Sequence, residues 1–303
     1  MCDDDGDEEC CNLVSRISRN DPTLLSADFS DVHDEFFING QFSCMKGNTH
    51  VTTLKIHNRN MDLDLEPIRG NETITDLDIW GWSDHVYNTD VMGTLKNLRR
   101  LSVARFLENL EMIKDLQYME YLNLEYNKFT SGWTNDILGF TNLRELDIST
   151  NDVSNENMET LRRITNNLKV FEAYNCGISD ISFLRGNESI TSLNLSENLF
   201  ENIEPLRFNS SIIELDLLGN RIRDISPINT MTALRTLIIE LEFIRNPKLL
   251  FENIYITKLH TGSAVFDEEL DNALTYYFTY YNEYNDLYRH ISLFRLLYDL
   301  IDL

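Results

Sequence analysis

The residues that could do chemistry are few and scattered. Six histidines (His33, His50, His57, His85, His260 and His290) fall on separate segments, and none belongs to an HExxH zinc motif. No Walker loop, GxSxG elbow or GxGxxG turn occurs, and the 12 glycines never cluster into a phosphate cradle. Five cysteines (Cys2, Cys10, Cys11, Cys44 and Cys176) form an odd set without CxxC spacing. They read as surface or core thiols in a reducing compartment, with redox or metal use as the alternative. The run DDDGDEE at residues 3–9 offers carboxylates to Ca²⁺ but lacks the later bidentate Glu of an EF-hand, so it reads as solvated charge. The expectation is a protein that is not an enzyme and uses no cofactor or metal.

Four Asn-x-Ser/Thr sequons, at Asn71, Asn187, Asn194 and Asn209, are the remaining chemical signal. The chain starts MCDDDGDEECC, the reverse of a signal peptide's basic-then-apolar order. A cytoplasmic or nuclear location is therefore expected, with the sequons as by-products of an asparagine-rich sequence. Acidic residues outnumber basic ones 50 to 26, a net charge of −24 that repels phosphate backbones and lipid headgroups and favours basic partners. No Lys/Arg stripe appears, so direct nucleic-acid binding is not expected. No apolar run approaches the ~20 residues of a membrane span.

What must position any site is a repeat. The motif L-x-x-L-x-L, with L any aliphatic, begins at Val51, Ile74, Leu98, Met119, Leu143, Leu168, Ile190, Ile212 and Leu234, and Ile256 and Leu259 give a fading tenth. The alternation puts two aliphatics on one side of a short strand. Three residues later Asn127, Asn151, Asn198 and Asn220 end the strand with a side-chain amide that serves the turning backbone; Cys176 stands there once. Aliphatics and Pro205 or Pro227 then carry an irregular or 3-10 return path. No single repeat buries its own aliphatic face, so stacked neighbours must share one core.

This pattern resembles that of leucine-rich-repeat proteins, over residues 51 to about 261. NCGISDISFL and NRIRDISPI are similar to the 22-residue class of internalins and phosphatase-regulating leucine-rich-repeat proteins. NDVSNENMETLRRITNNLKVF, helical in its spacing of Met158, Leu161 and Ile164, is similar to the ribonuclease-inhibitor return path. GQFSCMKGNTHVTTLKI resembles the run-in of plant-type and protist arrays, although Cys44 has no evident partner. The resemblance implies an α/β solenoid: a horseshoe of nine to ten repeats with a parallel concave sheet, a 3-10 and helical convex side, and a helical C-terminal cap. The expected organisation is an acidic disordered N-terminus (1–11), an N-terminal cap (12–50), the array (51–261) and a tyrosine-rich helical segment (262–303). That last segment is either a cap or a docking element, and residues 266–303 could also support a homo-oligomer.

Counting the first aliphatic of each motif as position one, positions three, five and seven face outward. Nine of these 27 are acidic and two basic, which makes the face a candidate for a basic protein partner. The candidate contacts are Asp76, Asp78, Trp80, Tyr121, Glu125, Glu145, Asp147, Glu172, Tyr174, Glu214 and Asp216. Trp80 is the leading anchor, with Trp82 packing in the following turn; the competing reading of the acids is solvated repeat consensus. The expected function is a non-catalytic interaction scaffold or regulatory subunit, phosphatase regulation being a narrower version. A ubiquitin-ligase substrate receptor would need an F-box-like module, an internalin-like adhesin would need a signal peptide, and a nucleoprotein component would grip a basic protein.

Overall fold

Each Leu-x-Leu pair becomes one short parallel strand. A computed structural model describes residues 8–29, 41–58, 62–81, 86–127, 129–241, 243–245, 249–250 and 253–261. The acidic run at 3–7, Trp82 and the tyrosine-rich segment 262–303 lie outside the described residues. The chain divides into two units, Met1–Asn151 and Asp152–Leu303.

In the first unit the main sheet runs β1 (Ser26–Asp28), β2 (Thr53–Asn58), β4 (Asp76–Gly81), β6 (Arg100–Ala104), β7 (Tyr121–Asn123) and β8 (Glu145–Asp147). Every pairing is parallel and in step with the repeat: Leu54 lies opposite Leu77, Leu77 opposite Leu101, and Leu122 opposite Leu146. The inward residues Leu54, Ile56, Leu77, Ile79, Leu101, Val103, Leu122, Leu124, Leu146 and Ile148 are at most 2% exposed. Burying one such side chain contributes about 1.5–3 kcal/mol, so the stack is the main source of stability. Two return segments, β3 (Leu63–Asp64) and β5 (Val86–Tyr87), also pair with each other.

The array begins earlier than the motif search predicts. β1 precedes Val51 and pairs with β2, Ser26 opposite Thr53. Leu24, Ala27 and Phe29 hold the three inward places and are at most 8% exposed. Ala27 and Phe29 match in kind the Leu168–Phe171–Ala173 rung, and like it they fill the volume between neighbours. A helix, α1 (Glu8–Ser18), precedes β1.

In the second unit the strands are β9 (Val170–Glu172), β10 (Ser192–Asn194), β11 (Glu214–Asp216), β12 (Thr236–Ile238) and β13 (Lys258–His260), again parallel and in register. The fading tenth motif is thus a full strand, with Ile256 and Leu259 buried. The predicted helical return is α2 (Met158–Thr165), whose Asn157 cap accepts from the N–H groups of Glu159 and Thr160. The other described returns of this unit are 3-10 turns, Ser182–Leu184, Glu204–Leu206 and Ser226–Thr230. Asp180, Asn202 and Asp224 open them by accepting from the N–H two residues on, at 2.8–2.9 Å. Pro205 and Pro227 fit the first turn, where an N–H has no partner to lose.

Two rows of asparagine satisfy the backbone where the chain leaves the sheet ladder. At the strand ends, Asn127, Asn151, Asn198 and Asn220 are at most 5% exposed and donate to carbonyls of their own and the preceding repeat. Before the strands, Asn48, Asn71, Asn187, Asn209 and Asn253 form a second row. Three sequon asparagines, Asn71, Asn187 and Asn209, belong to it and so have a structural role as asparagines. Cys176 takes its place in the first row as a buried thiol, donating to the Tyr174 carbonyl at 3.4 Å.

Candidate docking face

Outward positions of a parallel sheet form columns one strand apart, so side chains at equal positions in successive repeats become neighbours. In the first unit, position seven brings His57 beside Trp80, ring centroids 6.2 Å apart and edge-on. The next residue in that column is Ala104, small and buried. Arg105 follows it, its guanidinium 5.7 Å from the Trp80 ring and 4.5 Å from the Tyr126 ring. A continuous stack results: His57, Trp80, Arg105, Tyr126.

At the other end of the same strand, Arg100 lies 4.0 Å over the Tyr121 ring and 3.6 Å from the Asp76 carboxylate. His57 Nε2 is 3.2 Å from Asp78 Oδ2. Of the candidate contacts, the first unit places Asp76, Asp78, Trp80, Tyr121 and Glu125 near His57, Arg100, Arg105 and Tyr126. Desolvation raises the Asp76, Glu125 and Asp147 carboxyls above the usual range; beside Glu125 the Asp147 charge adds to it.

Position eight explains why Arg105 and Tyr126 escaped an alternation-based search. The strand has ended there and the chain turns through the left-handed region: φ is 81° at Arg105, 57° at Tyr126 and Thr150, 50° at Asn175, 55° at Glu197 and 68° at Gly219. Asn and Gly suit that region; Arg and Tyr are strained in it. The signal available in sequence is an arginine and a tyrosine at a place where sister repeats carry Thr150, Asn175, Glu197 and Gly219.

In the second unit Glu172 is half-buried, Tyr174 is 37% exposed and Glu214 is exposed, each on its own strand or just beyond. Among the described residues of the chain, no group of three or more His, Cys, Asp and Glu is placed to hold a metal ion. No described helix is long and apolar enough to cross a membrane.

The parallel strands and their return paths have relatives in form. An internalin (InlF) of Listeria monocytogenes superposes with a TM-score of 0.57 at 16% identity, over 84% of this chain and 82% of that one. A leucine-rich-repeat protein of Leptospira interrogans gives 0.54 at 17%, over 82% and 57%. A TLR13 chain solved with ssRNA13 gives 0.53 at 16%, over 84% and 38%. The fold is that of a leucine-rich-repeat protein. No family model matches the chain, and no curated protein does. At these identities the likeness speaks for the leucine-rich-repeat fold alone, and these relatives differ widely in length.

Within that fold the outward acids divide into two kinds. Asp147 Oδ1 accepts from the Ser149 N–H at 2.8 Å, and Asp216 Oδ1 from the Leu218 N–H at 3.0 Å. Asn123 and Asn194 make the same bond to Glu125 and Ser196. Position five is thus a turn-closing place that Asp and Asn share, and lysine there would open the turn. No such bond to a turn defines Glu125, Glu145 and Glu214 among the described contacts, so these are the acids to vary when testing docking.

Burial raises the Asp216 carboxyl as well. A carboxyl raised on folding is penalised only where it must ionise, so the penalty is absent at low pH and appears as pH rises through the carboxylate range. Asp216→Asn keeps the turn acceptor and removes that charge. Urea denaturation should show the variant more stable than wild type at pH 7, with the gap closing near pH 3. A variant less stable than wild type at pH 7 but not at pH 3 would mean the charge itself supports the fold.

Proposed function

We propose that the chain is a protein-binding module whose docking surface is the outward strand face, anchored in the first unit by the Trp80–Arg105–Tyr126 stack. The observation that carries this is the stack itself: the Arg105 guanidinium lies 5.7 Å from the Trp80 ring and 4.5 Å from the Tyr126 ring on the outward side of the strands. A cation held over two aromatic rings is attracted by both. Trp, Tyr and Arg are also the residues that dominate binding hot spots. The carboxylates around the stack favour a partner with basic groups, speeding and orienting its approach. The ubiquitin-ligase and adhesin readings would use the same face and are told apart by the partner's identity.

A photo-crosslinking residue in place of Tyr126, 41% exposed, tests this against one in place of Tyr87 on β5, 48% exposed. Adducts to one discrete protein from position 126 alone are expected. Arg105→Gly relieves the backbone while deleting the anchor, so it should change folding stability by no more than about 1 kcal/mol. It should abolish the adduct from position 126. Equal adducts from position 87, adducts to RNA, or an adduct indifferent to Arg105→Gly would sink the reading.

A further inference from the structure

Three of the four sequons open the same turn. Asn71, Asn187 and Asn209 each stand three residues before a buried strand-leading aliphatic, Ile74, Ile190 and Ile212. The Asn71 oxygen accepts from the N–H groups of Thr73 and Ile74 at 2.8 and 3.0 Å. The Asn187 oxygen accepts from Ser189 and Ile190, both at 3.0 Å, and that of Asn209 from Ser211 and Ile212 at 3.0 and 2.9 Å. Each amide nitrogen donates back to the preceding repeat: Asn71 to the Asn48 carbonyl (2.8 Å), Asn187 to Thr165 (2.9 Å), Asn209 to Asn187 (2.6 Å). Asn187 and Asn209 are 6% exposed.

The turn requires the asparagine and not the sequon. Asn48, followed by Thr-His, accepts from His50 and Val51 at 3.0 and 2.8 Å, and Asn253, followed by Ile-Tyr, accepts from Tyr255 at 2.9 Å. A sequon arises wherever a small hydroxyl residue happens to occupy the second place of the turn. Asn194 is of another kind: it lies on β10 at an outward position and closes the turn at Ser196.

N-glycosylation replaces one N–H of the amide by an N–C bond to a sugar; the amide loses a proton and the lipid-linked pyrophosphate departs with the bonding pair. The reaction takes place on extended nascent chain, in which all these asparagines are accessible. A sugar on Asn187 or Asn209 would then have to enter a space that folding closes against the preceding repeat. We propose that Asn71, Asn187 and Asn209 are incompatible with glycosylation, and that the chain folds only where nascent sequons are left unmodified. That means a cytosolic or nuclear setting, or a cell without such a transferase.

The test sends the full chain through a glycosylating secretory pathway behind a cleavable signal, with cytosolic expression as the reference. Wild type is compared with Thr73→Ala/Ser189→Ala/Ser211→Ala, which keeps every asparagine and removes the three acceptor sequences. Wild type should carry glycans at Asn187 and Asn209 and be secreted in folded form several-fold less than the variant. A second arm uses wild type with an inhibitor of lipid-linked sugar assembly, which should restore folded secretion without any substitution. Without the inhibitor, wild type folded and secreted as well as the variant, glycosylated or not, overturns the proposal. So does failure of both the variant and the inhibitor to raise its yield.

Discussion

Asn198→Ala should lower the unfolding free energy by about 3 kcal/mol or more, the largest loss expected from removing one side-chain amide. Asn198 is 2% exposed and uses both ends of its amide. Its nitrogen donates to the carbonyls of Ala173, Leu195 and Ser196 at 2.8–3.1 Å, and its oxygen accepts from Cys176 and Ile178 at 3.0 and 2.9 Å. Alanine strands two N–H groups and two or three carbonyls of consecutive repeats, where water cannot replace the partner. Asn220 supplies the comparison. It donates to Leu195 and Leu217 at 2.8 and 3.0 Å, but its oxygen has no hydrogen-bond partner. Asn220→Ala should therefore cost about 1–2 kcal/mol. Urea denaturation with hydrogen exchange at Cys176 and Ile178 measures both. Equal losses for the two variants would show that the acceptor half of the amide contributes nothing.

Gly93→Ala should destabilise the first unit by about 3 kcal/mol or more, at the upper end of overpacking effects. Gly93 lies in the 3-10 segment Thr89–Thr94, and a Cβ there would sit 2.0 Å from the Met112 carbonyl oxygen and 3.1 Å from its carbon. Both atoms are backbone of the next repeat, so no rotamer change relieves the collision. Gly139 shows the same close pass with more room, its Cβ falling 3.6 Å from the Lys114 oxygen. Gly139→Ala should be neutral, or stabilise by up to about 1 kcal/mol through a less free unfolded chain. Denaturant midpoints of the two variants decide it. A mild Gly93→Ala would mean the two repeats can separate locally without loss.

The rungs of the array were legible because they are local. Val51 to Leu234 announce themselves by alternation, and Met158, Leu161 and Ile164 by helical spacing; both periods are written in a dozen consecutive residues. Phe and Ala serve on a rung as well as Leu does, as Phe171 and Ala173 beside β9 and Ala27 and Phe29 beside β1 show by their burial. The core asks for volume between neighbours, not for a residue type.

The outward face was legible only in part. Alternation identified Trp80 and its column but treated Asp147 and Asp216 as docking acids, whereas both carboxylates close turns that Asn123 and Asn194 close elsewhere. It was silent on Arg105 and Tyr126, which sit one step beyond the strand in a conformation alternation does not describe.

The sequence by itself determined the repeat, the strand register, the helical return at 158–165 and the places where asparagine leaves the ladder. Each follows from backbone geometry acting over a few residues. Only the tertiary structure decided which side chains meet: Arg105 between Trp80 and Tyr126, Arg100 over Tyr121, Asn209 beneath Asn187. Those partners stand about one repeat apart. Their meeting depends on lateral stacking and on the rotamer that the space beside a small residue such as Ala104 permits, and neither is written in local periodicity.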